Sequence, residues 1–72
     1  MKYLIALKEV YNEDWKTALA RKQKPIPKGA KVKYLGMLNN YYGRFMEVEY
    51  NKELYYVLEK DFEEERINKG DD

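Results

Sequence analysis

The stretch AKVKYLGMLNNYYGRFMEVEY, residues 30–50, decides the fold. Ala30, Val32 and Tyr34 alternate with Lys31 and Lys33, and Met46, Val48 and Tyr50 alternate with Phe45, Glu47 and Glu49. A two-residue period of this kind marks strands with one face on a core and the other in water. NNYYG (39–43) lies between the runs and supplies turn residues, so the two strands read as a hairpin. The alternation assigns Met46, Val48 and Tyr50 to the core. It leaves Tyr41, Tyr42 and Phe45 unassigned, which makes these rings candidates for a recognition surface.

Working outward, KYLIALKEV (2–10) is a β-prone first strand, and LYYVL (54–58) is a further strand after a short polar loop, Asn51 to Glu53. EKDF (59–62) reads as a tight turn that sends Phe62 inward. Residues 11–28 form a long first loop. Within it EDWKTALARKQ suits about two helical turns capped by Asp14, and Pro25 and Pro27 forbid continuation. Trp15 is expected to cap one end of the barrel from within this loop. The expected architecture is all-β: a single barrel of about five short antiparallel strands over residues 1–63, followed by a charged, frayed tail, 64–72.

The chain has 72 residues, enough for one domain that buries only about 60% of its unfolded surface. Eight Tyr, two Phe and one Trp supply large core side chains, and the absence of Cys leaves no disulfide to support the fold. No apolar run is long enough to span a membrane, and the opening MKYLIALKEVY is interrupted too soon for a signal peptide. A cytoplasmic location is the expectation.

Net charge is +1, but the charge is polarised along the chain. No acidic residue occurs from Trp15 to Met46, a span that carries Lys16, Arg21, Lys22, Lys24, Lys28, Lys31, Lys33 and Arg44; acids dominate from Glu47 onward. Either the halves neutralise each other on the folded surface, or the basic segment faces a partner.

Enzymatic chemistry finds little to work with. The chain lacks His, Cys and Ser, which removes the commonest general base, the common nucleophiles and the usual zinc ligands. No phosphate-binding glycine loop is present. Glu47 and Glu49 project from one strand face, where carboxylates usually serve solubility, and Glu63 to Glu65 lack the spacing of a calcium loop. The expectation is a non-catalytic chain without cofactor or metal.

The order of these pieces resembles the Src-homology 3 (SH3) barrel and its bacterial relatives. Residues 6–10, ALKEV, stand where the family opens with ALYDY; Ile26 to Val32 match its K-G approach to the second strand; FMEV (45–48) corresponds to its WW-x-V strand; and YYVLEKDF (55–62) aligns with G-Y-I-P-S-N-Y-V. The likeness covers residues 3–63 and implies a binding module. It departs at the polyproline groove: Lys8 and Val10 replace the two ALYDY tyrosines, Leu58 the proline and Asp61 the last tyrosine, so only Phe45 keeps an aromatic. Polyproline ligands need aromatic ridges, and the usual ligand is therefore not expected.

Binding remains, with two competing sites. One is an unidentified protein on an aromatic surface of Tyr41, Tyr42, Phe45 and Tyr55. The other is nucleic acid on the basic loop, through Lys16, Arg21, Lys22, Lys24, Lys28, Lys31 and Lys33 together with Arg44.

Overall fold

The computed structural model describes residues 2–41 and 43–65, with Asn40 as backbone only. Five strands form one antiparallel sheet: β1 (Tyr3–Ala6), β2 (Lys31–Asn40), β3 (Gly43–Tyr50), β4 (Glu53–Val57) and β5 (Phe62–Glu64), in the order β4-β3-β2-β1-β5. One helix, α1 (Trp15–Arg21), sits in the long loop after β1, and a 3₁₀ turn, Glu59–Asp61, joins β4 to β5. The domain is all-β, and its sheet is compatible with an SH3-like barrel. Among the described residues no helix is long and apolar enough to cross a membrane.

The alternation read from the sequence governs packing. Leu4 and Ala6 of β1, Val32 of β2, Met46 and Val48 of β3, Tyr55 and Val57 of β4 and Phe62 of β5 all turn inward. Val10 and Ile26, from the two ends of the long loop, complete the core, and Tyr34 and Tyr50 pack against it. Val10 and Ile26 also exchange both backbone hydrogen bonds, at 2.8 and 2.7 Å, so the loop is tied at its base.

β2 and β3 are longer than their neighbours. Only Lys31, Val32 and Lys33 of β2 pair with β1, and β4 reaches only as far as Met46 of β3. Residues 38–40 and 43–45 therefore pair only with each other, as a two-stranded ribbon beyond the sheet. A bulge at Leu35, between Tyr34 and Gly36, reverses the inward phase of β2. Met37 consequently faces Met46 on the core side, while Leu38 lies opposite Phe45 on the outer side.

Local sequence explains the connections. The Asp14 carboxylate accepts hydrogen bonds from the Thr17 hydroxyl (2.7 Å) and the Thr17 backbone N–H (3.3 Å), which caps α1 as expected. These bonds hold the Asp14 carboxyl below its usual pKa range. At the other end Lys22 adopts a left-handed conformation. Its N–H donates to Leu19 and that of Gln23 to Ala18, which ends the helix. Starting α1 at Asp14 puts Trp15 in its first position, and α1 contributes no buried residue. Trp15 is 64% exposed and does not cap the barrel; Ile26 fills the interior beneath the loop. Phe62 is buried after the 3₁₀ turn. β5 runs through Glu64, and the Glu65 N–H donates to the Tyr3 carbonyl, so strand pairing continues past residue 63. The rest of the expected frayed tail, 66–72, lies outside the described residues.

The β3–β4 hairpin turns on Asn51 and Lys52 alone, both at positive φ (54° and 66°). Two positive values in a two-residue loop suit a type I′ turn, whose preferred second residue is glycine. Lys52→Gly should raise stability by about 0.5 kcal/mol by relieving left-handed strain, and Lys52→Val should lower it by about 1 kcal/mol. Thermal melts of the two variants check both signs.

Candidate functional site

The long loop is held against the sheet by polar groups that the hydrophobic pattern does not reveal. Asn12 is 6% exposed and is the one buried polar side chain among the described residues. Its Oδ1 accepts from the backbone N–H of Asp14 (2.8 Å) and of Tyr56 (3.2 Å), and its Nδ2 donates to Gln23 Oε1 (2.8 Å). Gln23 Nε2 in turn donates to Glu53 Oε1 (2.7 Å) and to the Leu54 carbonyl (3.3 Å). The Glu13 N–H donates to the Tyr56 carbonyl at 2.7 Å, so Asn12 and Glu13 bond both polar groups of Tyr56, on a strand at the end of the sheet order. The Tyr55 hydroxyl donates to the Lys24 carbonyl (2.8 Å). Buried polar groups are stable only when bonded, and these bonds tie the segments on either side of α1 to β4.

What they position is a groove of about 270 Å³, lined by Tyr11, Trp15, Ala18, Leu19, Pro25 and Lys24 with Asn12, Gln23 and Tyr55 beneath. Leu19 is 73% exposed, and Tyr11 and Trp15 are each 64% exposed. Three large apolar side chains around one concavity form a patch of the kind that marks an interaction site. Lys16 Nζ stands 5.8 Å from the centre of the Trp15 ring. A second cavity, of about 230 Å³, lies among Lys2, Leu4, Tyr34, Met37, Met46, Glu59, Phe62 and Glu64. Two of its charges pair with each other: Lys2 Nζ is 2.8 Å from Glu64 and 4.8 Å from the centre of the Tyr34 ring.

The expected aromatic surface is not assembled as drawn. Tyr41 is 95% exposed at the tip of the β2–β3 ribbon, and Phe45 is half-buried opposite Leu38. Tyr55 is only 4% exposed; its ring belongs to the core, beside Tyr50, and burial pushes its phenol pKa up. Its place on β4 beside inward-facing Val57 explains the difference, because an i, i+2 pair shares a face. Tyr42 lies outside the described residues.

The basic set is divided too. Lys16 and Arg21 lie on α1, with Lys22 and Lys24 just beyond it and Lys28 exposed in the Pro27–Ala30 turn. Lys31 is 3.3 Å from Glu65 and 5.0 Å from the centre of the Tyr3 ring, and Lys33 sits in register between Tyr3 and Glu49. Arg44 stands near the ribbon tip, six residues along β3 from Tyr50, or ~20 Å at strand spacing. Gln23, just beyond α1, bonds Glu53 of β4, which pairs with Tyr50 at the opposite end of β3, so Arg44 and the cations around α1 do not share a surface.

Lys8 and Asp61, two positions that would line a polyproline groove, lie 4.0 Å apart as an ion pair, and Val10 is buried. Among the described residues no group of His, Cys, Asp or Glu could hold a metal ion. No protein-family model, curated protein or solved structure matches the chain.

Two substitutions separate the groove's support from its surface. Asn12→Ala leaves the Tyr56 and Asp14 amides without their acceptor and should cost about 1–3 kcal/mol. Trp15→Ala removes an exposed ring and should change stability by no more than about 0.5 kcal/mol. Urea unfolding of both variants provides the comparison.

Proposed function

We propose that the chain is an SH3-like, non-catalytic interaction module that binds a protein partner in the groove beside α1. The observation that carries this reading is the exposure of Tyr11, Trp15 and Leu19 around a concavity where Asn12, Gln23 and the Tyr55 hydroxyl are already hydrogen-bonded within the domain. Such a surface gains little from polar readout and much from covering apolar area. The likeness to the SH3 barrel rests on the strand order, the long first loop and the 3₁₀ turn before the last strand. The partner surface is not the polyproline face of that family, because Lys8, Asp61 and Leu58 offer no aromatic ridges there.

Nucleic acid is the weaker reading. Binding a phosphate backbone requires several cations along one track. Here Lys31 is paired with Glu65, and Arg44 stands at the far end of β3. The acids Glu47 and Glu49 lie on β3 between Arg44 and the α1 end.

A random peptide library displayed on phage and selected against the domain tests the proposal. Selected peptides should shift the amide resonances of Tyr11, Trp15 and Leu19, and a Trp15→Ala/Leu19→Ala double variant should weaken them at least about tenfold, as for loss of central apolar anchors. Failure to select any peptide, or shifts centred on Tyr41 and Phe45, would overturn the assignment of the groove.

A further inference from the structure

We infer that the segment bound in this groove is acidic, a short peptide with one or two large apolar side chains among Asp and Glu residues. The inference rests on the groove being the partner site and adds the partner's chemistry. It begins with what is left unpaired. Among the described residues the ion pairs are Lys2–Glu64, Lys8–Asp61 and Lys31–Glu65, and none involves Lys16, Arg21, Lys22 or Lys24. Those four cations all lie on α1 or within three residues of its end, and Lys24 lines the groove itself.

The acids nearby are engaged differently. Asp14 accepts from Thr17, Glu53 from Gln23 and Glu9 from the Tyr11 hydroxyl (3.5 Å). Glu13 is exposed, its backbone bonded to Tyr56, just before the helix. The acids therefore gather where the loop enters α1 and around the Gln23 clasp. The cations Arg21, Lys22 and Lys24 follow one another where it leaves, and Lys16 overlies Trp15. An arriving carboxylate meets Lys16 beside the Trp15 ring and Lys24 at the other lip.

The floor sets the second requirement. Asn12, Gln23 and the Tyr55 hydroxyl are each bonded to protein partners, so a polar side chain entering the groove would compete with bonds already made. A Leu or Phe entering between Tyr11, Trp15, Leu19 and Pro25 covers apolar area without stranding a donor or acceptor. Apolar anchors supply the contact, and charge complementarity supplies orientation and rate. A bare phosphate backbone lacks those anchors.

Four synthetic probes test this by fluorescence anisotropy against the full chain. The first is a twelve-residue peptide with Leu and Phe among Asp and Glu. The second has its acids changed to Lys, the third has its Leu and Phe changed to Ser, and the fourth is a ten-nucleotide mixed-sequence single-stranded DNA. The first probe should bind, weaken at least about tenfold in a Lys16→Glu/Lys24→Glu variant, and weaken further as salt rises. The second and third should bind at least about tenfold more weakly than the first. Proton–nitrogen spectra confirm that the variant stays folded, since both lysines are exposed.

Tighter binding of the lysine peptide, or no effect of charge reversal on a peptide that shifts Trp15 and Leu19, would overturn the acidic partner while leaving the groove as the site. Binding of the serine peptide as tight as the first, or of the DNA tighter than the first, would also overturn it. Absence of any peptide-induced shift at Tyr11, Trp15 and Leu19, including by library peptides, would remove the groove itself.

Discussion

The structure depends on the buried side chain of Asn12. Three hydrogen bonds leave this one amide, to Asp14, Tyr56 and Gln23, and each reaches a different part of the domain: the helix cap, the edge strand and the end of the helix. An edge strand presents unpaired backbone groups that invite association with other chains. Here the Asn12–Glu13 segment bonds the amide and carbonyl of Tyr56, so the loop itself covers part of that edge. The same bonds fix where α1 begins and which side chains it turns outward. An apolar residue at position 12 would fill the space but leave the Tyr56 and Asp14 amides without their acceptor.

The division between a tied loop and a projecting ribbon follows from this. Residues 38–40 of β2 and 43–45 of β3 extend past the strands that flank them, and an isolated two-stranded hairpin is marginal in water. The ribbon's outer face carries Leu38 and Phe45 and its tip Tyr41. The loop side is different. Val10 and Ile26 at its base, Tyr55 hydroxyl to Lys24 at its middle and Gln23 to Glu53 at its far end make a preorganised wall, and preorganisation lowers the cost of binding. That rigidity is the physical reason the groove, and not the ribbon, is taken as the partner site.

Much of the fold was legible in the sequence, and the candidate site much less so. The strand alternation pointed Val32, Met46 and Val48 into the core because a two-residue period has only two faces. Asp14 as cap fixed the start of the helix because capping acts locally, whereas its end, at Lys22 in the left-handed conformation, comes before Pro25 and was not legible. The bulge at Leu35 was not legible, since one inserted residue leaves the composition unchanged while reversing the phase beyond it. Trp15 does not cap the barrel as expected, because the helix start at Asp14 decides where its ring goes. Asn12 and Gln23 could not be found, for their importance arises from partners up to 44 residues away in sequence. Tyr55 looked like a surface aromatic only while Tyr56, its neighbour on the opposite face, was indistinguishable from it.

Residue-resolved amide hydrogen exchange tests the central claim, that the Asn12 network locks the long loop to β4. The amides of Asp14 and Tyr56, bonded to Asn12, and of Glu13, bonded to Tyr56, should be protected to a degree comparable with the Val48 amide in the middle of the sheet. Exchange of these three at the rate of exposed residues such as Lys16, with Val48 still protected, would show a loop that opens independently of the sheet and would contradict the account.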